Sequence, residues 1–142
     1  MKPVSELLKH RGAPLWHVRP DETVYAALEL LAQYEVGALV VMQQGRLVGI
    51  VSERDYTRKV ALQGRSSRAT LVSEIMTREV VTVRPQTRVL ECMALMSERK
   101  IRHLPVVDGA TVLGMISIRD LMDEIIEEQR ETIEQLERYI HS

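Results

Sequence analysis

The chain repeats itself, and that limits its possible folds more than any other feature. Shifted by 65 residues, Val18-Arg19-Pro20 falls on Val83-Arg84-Pro85. Without a gap, Val24 falls on Val89, Leu30 on Leu95, Leu39 on Leu104 and Val41 on Val106. Gly49 meets Gly114, Ser52 meets Ser117, and Arg54-Asp55 meets Arg119-Asp120. Between positions 18 and 55, 11 of 38 aligned residues are identical, and many others exchange one apolar residue for another. Upstream, Val4-Ser5-Glu6-Leu7-Leu8 echoes Val72-Ser73-Glu74-Ile75-Met76 at a shift of 68. The first copy therefore carries three extra residues between Leu8 and Val18. An ungapped match that keeps both glycines and both Ser-x-Arg-Asp groups argues for two halves sharing one local fold.

Each copy reads the same way. Asp21, after Pro20, is expected to cap a helix. Val24, Ala27, Leu28 and Leu31 then mark one helix face, as do Val89, Cys92, Met93 and Met96 in the second copy. Cys92 is thus expected to be a small buried apolar residue. A strand is predicted over Val36 to Met42, a turn at Gln43-Gln44-Gly45, and a second strand over Leu47 to Val51. The second copy gives Ile101 to Val107, a hairpin signal at Asp108-Gly109, and Val112 to Ile116. Ser52 and Ser117 are placed to cap a second helix, Glu53 to Leu62 in one copy and Ile118 onward in the other.

The unit is β-α-β-β-α, and about 60 residues make only a marginal core. The predicted class is α/β (α+β): two pseudo-symmetric repeats packed sheet to sheet, with an extended C-terminal helix. The expected division is 1–64 for the first repeat, 65–69 for a linker, 70–128 for the second repeat and 129–142 for the helical extension. In that extension Leu121, Ile125, Ile126, Ile133, Leu136, Tyr139 and Ile140 mark an apolar stripe interrupted by Gln129. A stripe of some 20 residues, about 30 Å, outruns its own domain and calls for a partner subunit.

Composition narrows the function. With 45% hydrophobic residues the chain is not of the disordered class. It holds no run of roughly 18 apolar residues for a membrane span, and no apolar leader is expected after Lys2. A net charge of -1 argues against a general nucleic-acid binder, although Arg54, Arg58, Lys59, Arg65 and Arg68 cluster beside acids. One cysteine points to a reducing, cytoplasmic setting. The charge is also split. From Asp120 to Ser142 eight acids face two bases, a net −6, so the remainder carries +5.

No catalytic apparatus is legible. His10, His17, His103 and His141 never stand at i, i+4, and there is no Gly-x-Ser-x-Gly elbow or phosphate loop. Five aromatic residues are thin material for stacking bases. The expectation is a binding protein without enzymatic activity, needing no cofactor or metal. What does recur is Gly-apolar-apolar-Ser-x-Arg-Asp, at Gly49 to Asp55 and Gly114 to Asp120. The serine opens a helix, where free N–H groups favour an anion such as phosphate, and the aspartate can accept from sugar hydroxyls. The same two residues also suit a capping box worth roughly 1 kcal/mol with no ligand at all.

Taken together, these features resemble the CBS domain (named for cystathionine β-synthase) in its tandem form, the Bateman module. The carriers are Val-Arg-Pro with its Val-led helix, Leu104-Pro105-Val106-Val107-Asp108, and Gly-apolar-apolar-Ser-x-x-Asp twice. The tail Glu128 to Ile140 is similar to small stand-alone bacterial members. The resemblance implies a regulatory module that binds adenosine-containing ligands (AMP, ADP, ATP, S-adenosylmethionine or NAD(H)) in clefts between the copies, as a homodimer. By carry-over, Asp120 would hold the ribose and Ser117 the phosphate side, with Ile118 and Arg119 on the same turn. Ile101, Arg102, His103 and Pro105 would flank the adenine, and Thr82 would meet its edge. The first copy offers His17, Val36, Gly37, Ala38, Ser52, Arg54 and Asp55. Gly37-Ala38 in place of Arg102-His103, and Val40 in place of Pro105, suggest that the Asp120 site is the stronger for a charged ligand. The alternative is a ligand-free interaction module that docks a basic partner on the acidic C-terminal helix.

Overall fold

The computed structural model describes residues 2–11 and 15–141. Part of the first copy's three-residue insertion falls on 12–14, outside the described residues.

The first copy runs α1 (Val4–Arg11), β1 (His17–Val18), α2 (Val24–Tyr34), β2 (Ala38–Gln43), β3 (Arg46–Ser52) and α3 (Glu53–Tyr56). A π-helical turn, Thr57–Ala61, continues α3. The second runs α4 (Val72–Ile75), α5 (Val89–Arg99), β4 (His103–Asp108), β5 (Thr111–Ser117) and α6 (Ile118–His141). Strand β1 pairs in parallel with β2, placing Val18 beside Val41, and β2 pairs antiparallel with β3. Val83, the repeat mate of Val18, makes only a parallel bridge to Val106. The β4–β5 hairpin therefore stands as a two-stranded sheet beside a three-stranded one.

Local chemistry explains the ends of these elements. Thr23, not Asp21, caps α2, its hydroxyl accepting from the Ala26 N–H at 3.1 Å. Thr23 immediately precedes the first helical residue, whereas the Asp21 carboxylate is ion-paired with Arg19 at 3.1 Å. Helices α2 and α5 both end on a charged residue in the left-handed region, Glu35 (φ 53) and Lys100 (φ 55). The tight β2–β3 turn needs positive φ at Gln44 and Gly45, as a I′ hairpin does. The predicted helix Glu53 to Leu62 changes pitch at Thr57, where the Leu62 N–H reaches back five residues to the Thr57 carbonyl.

Two apolar cores form, and the copies exchange their leading helices to build them. Leu31, Leu39, Val41 and Val51 of the first copy are joined by Val72, Ile75 and Met76 of the second. Met96, Leu104, Val106 and Ile116 of the second are joined by Val4 and Leu7 of the first. The exchange is reciprocal in hydrogen bonding. Val4 N–H donates to the Thr87 carbonyl at 2.8 Å, and Val72 N–H donates to the Glu22 carbonyl at 2.8 Å. Neither half can complete its core alone, as the marginal size of one unit requires. The second faces of β2 and β4 are covered too: Ala38, Val40 and Pro105 are buried outside both apolar clusters.

Candidate functional site

Both Ser-x-x-Asp groups sit where a buried strand passes into a helix. Asp55 Oδ2 accepts from the Ser52 N–H at 2.9 Å, and Ser52 Oγ accepts from the Asp55 N–H at 3.2 Å. Ser117 and Asp120 repeat the pattern at 2.8 and 3.1 Å. The capping box is therefore formed in both copies, and it fixes each carboxylate on the first turn of its helix. The location adds something a plain cap does not need. Each group lines a cleft between the two copies.

The first cleft has a volume of about 360 Å³. It takes Ser117, Ile118, Arg119 and Asp120 from the second copy and Trp16, Glu35 and Val36 from the first. Leu8, Leu15, Leu113 and Met115 add apolar surface. The Trp16 ring lies flat on Tyr34, with centroids 3.6 Å apart and planes 8° from parallel. The second cleft, about 470 Å³, takes Ser52, Glu53, Arg54 and Asp55 from the first copy and Lys100 and Ile101 from the second. Arg58, Lys59, Thr77, Glu79, Val80 and Val81 lie along it.

Gly37, Ala38, Arg102 and His103 line both clefts, so they form the wall between them. The His103 ring lies 3.2 Å from where a Cβ on Gly37 would stand. A side chain at Gly37 would press on His103, which accounts for glycine where the other copy has Arg102. The copies are also tied across this wall, Arg54 Nη1 donating to the Lys100 carbonyl at 3.4 Å.

The structure regroups the residues singled out from sequence. Val36, grouped there with Asp55, lines the Asp120 cleft; Ile101, grouped with Asp120, lines the Asp55 cleft. The reason is the pseudo-twofold packing, which sets the helix start of one copy against the strand lead of the other. Thr82, Pro105 and His17 line neither cleft. Pro105 is buried within β4, while Trp16 and Val81, one residue from His17 and Thr82, face the clefts instead. A one-residue step along extended chain reverses the side chain's face. The sequence reading did not include Trp16 or Lys100, and it set Arg58 and Lys59 in a basic cluster and not beside Asp55; the i, i+4 spacing of Asp55 and Lys59 was the available signal.

The two clefts differ in charge. The Asp55 cleft carries five bases (Arg54, Arg58, Lys59, Lys100, Arg102) against three acids (Glu53, Asp55, Glu79). The Asp120 cleft carries Arg102 and Arg119 against Glu35 and Asp120. Lys59 Nζ sits 3.1 Å from Asp55 Oδ1 and also donates to the Ile75 carbonyl at 2.7 Å. Its repeat mate is Glu124, which pairs with Lys2 at 3.3 Å. Among the described residues no cluster of His, Cys, Asp or Glu could hold a metal ion, and no helix is long and apolar enough to cross a membrane.

The model of the CBS domain matches residues 4–62 and again 72–127. The chain belongs to the CBS-domain family. It carries the CBS unit as a tandem pair. It is 43% identical over 147 residues to the mitochondrial CBS domain-containing protein CBSX3 of Arabidopsis thaliana, covering 96% of this chain and 71% of that one. A solved CBS-domain protein from Burkholderia ambifaria superposes with a TM-score of 0.86 at 46% identity, covering 90% of this chain and 96% of its own. The CBS domain pair of protein MJ0100, solved with 5-methylthioadenosine and S-adenosyl-L-methionine, superposes with a TM-score of 0.80 at 25% identity. That match covers 90% of this chain and 98% of the MJ0100 chain.

Proposed function

We propose that this CBS pair is a regulatory module that binds adenosine-containing ligands in its two inter-repeat clefts. The observation that carries the reading is the duplicated cleft. Each joins a rigidly capped Ser-x-x-Asp helix start of one repeat to the strand lead of the other. The capped aspartate suits ribose hydroxyls, and the adjoining helix N-terminus suits phosphate. The adenosine ligands of the MJ0100 pair support the ligand class. The module acts by binding and not by chemistry. A ligand that touches both repeats favours one of their relative arrangements by its differential affinity, and the shift passes to a second protein.

Charge orders the clefts differently from the sequence reading. Arg102 and His103 serve both, so they do not favour Asp120. We assign polyphosphates to the basic Asp55 cleft and less charged adenosine derivatives to the Asp120 cleft, with its Trp16 ring and apolar lining. Calorimetric titration with AMP, ADP, ATP, NAD(H) and S-adenosylmethionine tests the reading. At least one is expected to bind below millimolar concentration, and Asp120→Ala is expected to weaken the less charged ligand by about 1–3 kcal/mol. Silence from all five at millimolar concentration contradicts the proposal.

A further inference from the structure

The wall between the two clefts departs from the repeat at one point. Gly37 and Arg102 are repeat mates, and their backbones are held alike. The Gly37 carbonyl accepts from the Glu53 N–H at 3.1 Å, and the Arg102 carbonyl accepts from the Ile118 N–H at 2.8 Å. Each bond ties a strand lead to the first residue of its own Ser-x-x-Asp helix. Both residues line both clefts, but only Arg102 brings a side chain. Gly37 supplies no second one, and a Cβ there would stand 3.2 Å from the His103 ring. The clefts therefore share one guanidinium where the repeat would otherwise provide two. They do not depend on it equally. Arg102 is one of five bases in the Asp55 cleft, but in the Asp120 cleft only Arg119 stands beside it, against Glu35 and Asp120.

We infer, on the reading that both clefts take adenosine ligands, that the clefts are antagonistic. A nucleoside polyphosphate in the Asp55 cleft engages Arg102 and lowers the affinity of the Asp120 cleft for a phosphorylated ligand. The backbone bond to Ile118 fixes the root of the arginine, while its side chain is exposed and can turn to either side of the wall. A guanidinium that grips one phosphate in its fork is committed to that geometry. Repulsion between phosphates on the two sides of the wall acts in the same direction. A ligand without phosphate loses nothing when Arg102 turns away. Abundant polyphosphate thus leaves the Asp120 cleft to uncharged adenosine derivatives. Linkage makes the effect mutual, so a phosphorylated ligand at Asp120 weakens polyphosphate binding by the same factor.

Trp16 is the chain's single tryptophan and lines the Asp120 cleft but not the Asp55 cleft, so its fluorescence reads one cleft of the two. The full chain is titrated with AMP, and separately with 5′-methylthioadenosine, which has no phosphate, each with and without saturating ATP. ATP is expected to weaken AMP by roughly tenfold or more, and 5′-methylthioadenosine by less than about twofold. In Arg102→Gln the effect of ATP on AMP is expected to fall below about threefold. Equal weakening of both ligands is simple competition for one cleft and overturns the inference. So does AMP binding that ATP leaves unchanged, AMP that gives no Trp16 signal, or antagonism that persists in Arg102→Gln. In each of those cases ligand binding seen by calorimetry leaves the adenosine reading standing. Silence of all three ligands in calorimetry overturns both.

Discussion

Asp55 and Asp120 each combine a helix cap with a place on a cleft wall. Each accepts from its serine N–H, at 2.9 and 2.8 Å, and each lies in a cleft. The sequence left both readings open because the capping box and the ligand turn demand the same residues at the same spacing. The repeat marks the motif but not Lys59, whose mate in the second copy is Glu124; the i, i+4 spacing of Lys59 from Asp55 is what marks it. Cys92 was legible from helix periodicity alone. Burial pushes its thiol up to about 11 from 9.0, with Glu91 adding to the effect. In the unfolded chain the thiol ionises near 9, so this group's contribution is complete below pH 9 and declines as pH rises toward 11. The full loss is about 3 kcal/mol. Urea unfolding between pH 8 and 10.5 should therefore fall less steeply with pH for Cys92→Ala than for the parent chain. Equal slopes would remove Cys92 as the cause.

Elements were legible where periodicity and turn chemistry agreed. The hairpins β2–β3 and β4–β5 fall within a residue or two of their predicted spans, because glycine turns and apolar runs bound them. The short leading helices were a different matter. Val4-Ser5-Glu6-Leu7-Leu8 and its echo were visible as sequence, but not that each packs on the other copy, since local pattern carries no long-range contact. The exchange places Met76 over Gly49 and Leu8 over Gly114. A Cβ on Gly49 would stand 2.7 Å from Met76 Sδ and 3.0 Å from the Thr77 carbonyl, which is backbone and cannot yield. On Gly114 it would meet only the end of the Leu8 side chain, at 2.8 Å. Gly49→Ala should therefore cost roughly 1–3 kcal/mol, and more than Gly114→Ala, in chemical denaturation. A larger cost at Gly114 would contradict the packing described for α1 and α4.

At the scale of the whole molecule, a repeat too small to fold alone becomes a pair with exchanged helices, and the pairing creates the clefts. The family was therefore legible in sequence, while the make-up of each cleft was not: a site shared between copies cannot be assigned copy by copy. The uneven charge follows the same geometry. The acids of α6 lie mostly outside the clefts, and the bases of the body collect in one of them. The proposed division of ligands between the two clefts follows from that asymmetry. Lys100 reaches only the Asp55 cleft and Arg119 only the Asp120 cleft, and both are exposed. The most direct measurement is a calorimetric titration of ATP into the parent chain, Lys100→Glu and Arg119→Glu. Reversing a charge near the phosphates should weaken ATP by roughly tenfold or more at Lys100 and by far less at Arg119. Equal effects, the opposite order, or no ATP binding by the parent chain would contradict it.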